Sequence, residues 1–168
     1  MIETTTTLKD LDPASRVWVF ASHVEISGEK HQRLRGEVSR FLEGWRSHGV
    51  LLPARCEILH GHFLVVAADP RTDPSGCSID GLFRLLQKLS TDLELPLLES
   101  QWVYYRAEDG KVNAVSQGEF KQRAERDEID ENTVVFDTNI DSASGLSADG
   151  SWEKRVGDSW HAKLLEVG

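Results

Sequence analysis

Apolar residues in the first two thirds of the chain change their spacing repeatedly, and each change marks an element. Residues 16–21, RVWVFA, are β-branched and aromatic without polar alternation, the pattern of a strand covered on both faces and therefore expected in the middle of its sheet. From about residue 29 the spacing turns helical. Leu34, Val38, Phe41, Leu42 and Trp45 fall at i, i+4, i+7, i+8 and i+11, one face of a helix predicted over 29–48. His48-Gly49 reads as its stop, and Pro53 blocks any continuation. ARCEILHGHFLVVAAD then offers two apolar runs meeting at His60-Gly61, which predicts a hairpin of strands near 54–60 and 62–69. After the loop PRTDPSG, Ile79, Leu82, Phe83, Leu86 and Leu89 mark a second helix over 78–91. QWVYYR (101–106) is a fourth strand, and Asp109-Gly110 turns the chain back into a fifth, KVNAVS.

The order β-α-β-β-α-β predicts an α+β, ferredoxin-like arrangement: an antiparallel sheet with two helices on one face. The rest reads as an extension. Ser116 and Glu119 fit a capping box opening a short helix through about Arg126. NTVVFDT is a sixth strand candidate, DSASGLSADGS a mobile loop, and Asp158 or Ser159 can cap a final turn in DSWHAKLLEVG. The chain thus divides into a flexible arm (1–15), a core (16–115) and a C-terminal extension packed on the core (116–168). The uncovered sheet face, carrying Trp102, Tyr104 and Tyr105, needs a cover. The extension or a second copy of the chain supplies it, which makes a homodimer an expectation.

Length and charge narrow the function. A chain of 168 residues suits one domain with a real core. Its net charge is −9, and residues 127–168 hold ten acidic and three basic side chains. Such a surface argues against nucleic acid as a partner, since a phosphate backbone needs Lys and Arg. The opening MIETTTTLKDLDPASR is polar and unlike a signal peptide, and no run approaches the ~20 apolar residues of a membrane span. The expected setting is the cytoplasm, with Cys56 and Cys77 as free thiols. GxxxxGK[ST], GxSxG and GxGxxG are all absent, so no cofactor is expected.

Few residues are placed to carry chemistry. Cys77 follows Ser75-Gly76 at the mouth of the second helix, where unpaired N–H groups favour a thiolate. Asp80, one turn on, can orient a base. Equally, Cys77 can be a small apolar side chain packed under the loop. His161 is the base a cysteine nucleophile needs, with Ser159 and Trp160 beside it, or else it is an exposed histidine on a tail that Trp160 docks. The tail segment DSWHA is expected to pack over Cys77. His60 and His62 form H-x-H, with Cys56 further along. The spacing suits zinc only in an unbroken strand, and Gly61 reads as a turn, so no metal is expected. Trp102, Tyr104 and Tyr105 lack the basic neighbours of an RNA-binding sheet and read as core or interface.

VWVF, FLEGWRSHG, SGCSID, TVVFDTNI and DSWHAKLL together resemble a family of small uncharacterised bacterial proteins of Bacteroidota type, often labelled "ABC transporter ATPase". The resemblance spans most of the chain after about residue 15, and SGCSID and DSWHA are its most specific parts. The label does not suit this chain, which lacks Walker A, Walker B and the ABC signature. The resemblance implies no mechanism, but it directs attention to Ser75, Gly76, Cys77, Asp80, Ser159, Trp160 and His161. Two functions follow as expectations. One is a binding or structural/interaction domain for a small molecule or protein partner. The alternative is a thiol-dependent hydrolase or transferase using Cys77 and His161.

Overall fold

Residues 63–68, FLVVAA, offer no polar group to water on either side of a strand, and the fold is arranged around them. The computed structural model describes residues 11–146 and 152–165. In chain order the elements are β1 (Arg16–Ala21), α1 (Gly28–Glu43), β2 (Arg46–Ser47), β3 (Val50–Leu51), β4 (Ala54–Leu59), β5 (Phe63–Ala68), α2 (Gly76–Leu93), β6 (Trp102–Arg106), β7 (Val112–Ser116), α3 (Gln117–Glu125), β8 (Val134–Phe136) and β9 (Glu153–Arg155). Short 3-10 turns at Val156–Asp158 and Trp160–Leu165 follow.

The class is α+β with antiparallel sheets. The first sheet runs β1-β5-β4: β1, expected in the middle, is an edge strand, and β5, buried along its whole length, takes the centre. Its pleat sends Leu64, Val66 and Ala68 to one face, where Leu34, Val38 and Leu42 of α1 meet Leu82, Leu86 and Leu89 of α2. Both helices therefore pack on the same face.

The other face departs from the ferredoxin-like expectation. The fourth strand, β6, does not join the edge of β1. It nucleates a second sheet of order β7-β6-β8-β9, which lies across the open face of the first. Phe63, Val65 and Ala67 look into that second sheet and meet Tyr104, Phe136 and Trp152. The rings of Phe63 and Trp152 are 4.7 Å apart at their centroids, and those of Phe63 and Tyr104 5.0 Å. The physical reason is that both faces of β5 are apolar. A single sheet with helices on one side would leave Phe63 and Val65 in water, at a cost of about 2 kcal/mol for each large side chain. The extension is accordingly part of the fold: β8 pairs with β6, and β9 with β8. α3 and the final turn cover the outer face of the second sheet, closing a third cluster around Val103, Phe120 and Val135.

Three local expectations also change. α1 stops at Gly44, and the His48-Gly49 signal is a hairpin turn between β2 and β3, both residues having positive φ (52° and 81°). Trp45 keeps its buried place by donating its indole N–H to the Ser78 carbonyl at 2.8 Å. Residues 11–15 are not loose: Ala143 N–H bonds the Ser15 carbonyl and Ser144 N–H the Pro13 carbonyl. Residues 1–10 of the predicted arm, and 147–151 of the predicted loop, lie outside the described residues. The hairpin at His60-Gly61 forms as expected, with φ of 56° and 72° and Leu59 opposite Phe63.

Phe63 touches both layers of the sandwich and is fully buried. Phe63→Ala is expected to cost about 3–5 kcal/mol, measured by urea unfolding of the folded variant against the parent.

Candidate functional site

The predicted thiol site is assembled at its helix end but not across the molecule. Ser75 caps α2, its hydroxyl accepting from Ser78 N–H at 3.2 Å. The same corner is latched to the β2–β3 hairpin. Ser75 N–H donates to the Ser47 hydroxyl, which donates to the Asp73 carbonyl, and the Ser78 hydroxyl donates to the Arg46 carbonyl at 2.8 Å. Cys77 sits just inside the helix with an exposed thiol, and Asp80 is exposed one turn on. Gly76 faces open space, so its lack of a side chain serves no close approach. The cavity beside Cys77 takes in Trp45, His48 and Ser75.

His161 is elsewhere. It is 1% exposed, in the final 3-10 turn, with its Nδ1 3.0 Å from the Ser159 hydroxyl and its ring 6.2 Å from that of Phe120 on α3. The cavity it lines shares no residue with the cavity of Cys77. The tail does not pack over Cys77 because the outer face of the second sheet claims it. α3 has only nine residues and leaves part of that face open, and Ala162, Leu164 and Leu165 complete the cover. Burial pushes the His161 pKa down to about 4, with Asp137 opposing and Lys154 reinforcing the shift, so the imidazole is neutral near pH 7. Ser159 caps this last turn by accepting the His161 N–H at 3.1 Å.

The tail instead builds a different site. Trp160 stacks on His161 at 3.8 Å and closes one side of a cavity of about 290 Å³. Phe20, Phe83, Leu98, Trp102 and Tyr104 form much of the rest. Trp160 (40% exposed), Phe83 (39%) and Leu98 (38%) are three of the six large hydrophobic side chains exposed among the described residues, and all three line this one cavity. Tyr104 lines it too. Its ring is 4% exposed, and its hydroxyl is buried with no hydrogen-bond partner among the described residues. Burial, with the Glu99 carboxylate nearby, raises the phenol's pKa, so the group stays an O–H donor. Trp102 is held by Glu99, to which its indole N–H donates at 2.9 Å, and by His23 stacked 3.8 Å away.

Sequence reasoning found Trp160 and His161 but placed them beside Cys77. It read Tyr104 and Trp102 as packing or interface residues, and the expected exposed patch is absent because Tyr104 and Tyr105 are buried between layers. The available signal was tyrosine in a strand apolar on both faces, since a buried phenol needs a partner.

His60 and His62 are separated by the turn. His62 is buried, its Nδ1 2.8 Å from the Ser22 carbonyl, while His60 has one side open to solvent and its ring packed against Phe136. Cys56 is on the helix side of β4, beside Ser39. Among the described residues no group of three or more His, Cys, Asp or Glu is placed to hold a metal ion, and no helix is long and apolar enough to cross a membrane. Searches against protein-family models, curated proteins and solved structures return no match for the chain.

Cys77 is expected to react with iodoacetamide in the folded protein at a rate that His161→Ala leaves unchanged. Cys56, buried and with a pKa raised by that burial, is expected to react only on unfolding. Mass-spectrometric labelling kinetics read both; a His161→Ala variant with slowed Cys77 labelling restores the thiol–imidazole pair.

Proposed function

We propose that the protein is a binding domain for a small, flat, largely apolar molecule carrying one hydrogen-bond acceptor. The observation that carries this reading is Tyr104, which lines a cavity rimmed by exposed aromatic and aliphatic side chains and whose hydroxyl lies buried behind that lining with no hydrogen-bond partner among the described residues. An orphan buried hydroxyl costs about 1–3 kcal/mol, and a ligand carbonyl that reaches it as the lining yields accepts its hydrogen bond and removes that cost. Trp160 and Phe83 offer rings for the apolar body, and Glu99 with His161 sets the polar edge of the lining. The cavity combines apolar rings with converging polar groups, Ser100, Thr138 and Asn139 among them, which suits a molecule with an apolar body and a polar end. The thiol-dependent alternative lacks this support, because Cys77 and His161 line separate cavities.

Tyr104→Phe separates a binding group from a packing group. Removing the unpaired hydroxyl is expected to stabilise the free protein by about 1 kcal/mol in urea unfolding. The same change is expected to weaken binding of acetophenone about five- to tenfold, while leaving ethylbenzene, which has no acceptor, unaffected, as read by amide chemical-shift titration. A Tyr104→Phe protein that is less stable, or that binds the two probes as the parent does, contradicts the reading.

A further inference from the structure

We propose a second site, for a phosphate-type dianion, in the cleft between the β4–β5 turn and the outer edge of β7. The cleft has a volume of about 590 Å³, and none of the residues that line the aromatic cavity line it. Three imidazoles converge on it, His23 from the loop after β1 and His60 and His62 from the hairpin turn. Three cations face them, Arg106, Lys111 and Arg123. Glu25 is the single carboxylate in the lining. This concentration of positive charge belongs to a chain of net charge −9, so it is not a by-product of composition.

The two arginines are held in place, and Arg106 also lies over the Phe136 ring. Arg106 gives its Nε to Glu153 at 2.8 Å and its Nη1 to the Gly110 carbonyl at 2.9 Å. Arg123 gives its Nε to Glu119 at 3.0 Å and its Nη1 to the Tyr105 hydroxyl at 2.6 Å. Each guanidinium keeps an Nη2 with no partner among the described residues, and the two carboxylates that orient them are not in the lining. Lys111 makes no ion pair among the described residues. The ring of His62 is fixed through Nδ1, which donates to the Ser22 carbonyl. The strand edge presents backbone amides, interleaved with carbonyls. Ala107 N–H bonds the Lys111 carbonyl at 2.9 Å, so by antiparallel alternation the amides of Val112 and Ala114 turn away from β6 toward the open edge.

Donors on the hairpin, the β6–β7 turn, the β7 edge and α3 suit an anion with oxygens on every side. A planar carboxylate is satisfied by one guanidinium fork. The titratable and charged groups facing His60 are Arg106, Lys111, Arg123, His62 and His23, with the carboxylates of Glu25 and Glu153 opposing the cations. Partial burial, then Arg106, hold its pKa below the ordinary histidine value, and a bound dianion reverses that second effect.

Sulfate, which stays doubly charged from pH 5 to 8, is the first probe, followed by inorganic phosphate, phenyl phosphate and succinate. Histidine Cε1–H resonances are followed by NMR at constant ionic strength. The expected result is saturable shifts of His60 and His62 with sulfate and with both phosphates, and a rise in the apparent pKa of His60. Lys111→Glu, at an exposed position without contacts to lose, is expected to weaken sulfate binding about tenfold or more, whereas Lys88→Glu on the exposed face of α2 leaves it unchanged. Tyr104→Phe should leave sulfate binding intact, so this proposal and the aromatic cavity fail separately. No saturation, equal losses from Lys111→Glu and Lys88→Glu, or succinate binding more tightly than either phosphate overturns the assignment.

Discussion

Phe63 stands at the point where two sheets cross, its ring packed among Tyr104, Phe136 and Trp152 while its backbone, at the start of β5, lies between Ala21 of β1 and Leu59 of β4. Much else depends on satisfying that ring and its neighbours Val65 and Ala67. A helical layer already occupies the far face of the sheet. The near face is therefore closed by a second layer, and the only chain left to build it begins at β6. The fourth strand is drawn out of the plane of the first three, and the C-terminal segment becomes structural because β8 and β9 extend the layer β6 begins. Closing the outer face of that second layer then recruits α3 and the final turn.

Both candidate sites are consequences of this stacking. The aromatic cavity opens where the ends of β1 and β6 meet the tail, so its walls come from the first sheet (Phe20), from α2 (Phe83), from the second sheet (Trp102, Tyr104) and from the last turn (Trp160). The cationic cleft opens at another margin, where the β4–β5 turn overhangs the edge of β7. His23 and Trp102 form the partition: the stacked pair presents its imidazole to the cleft and its indole to the aromatic cavity.

Local periodicity made much of this legible. The faces of both long helices, the turn at His60-Gly61, the Ser116 cap and the β6–β7 hairpin all follow from residues within one or two turns of each other. The destination of β6 does not. Trp102, Val103, Tyr104 and Tyr105 are apolar on both faces, which suits a strand added to β1 as well as one starting a new sheet, and only the demand of a distant strand decides. The end of α1 was obscured because His48-Gly49 serves equally as a helix stop and as a hairpin turn. Trp160 and His161 stood out as a motif, but which surface a terminal tryptophan covers depends on what the rest of the fold leaves open. The histidine cleft was invisible for the same reason. His23, His60 and His62 come from two loops, and Arg106, Lys111 and Arg123 from three further places, with no spacing to connect them.

The central claim is that the second sheet lies on the first instead of extending it. Cross-strand Hα and amide NOEs on isotope-labelled protein test this most directly. The account predicts contacts between Tyr105 and Val135 across β6 and β8, together with ring contacts from Phe63 to Tyr104 and Trp152. Cross-strand contacts between β1 and β6, with the Phe63 ring free of Trp152, would contradict it.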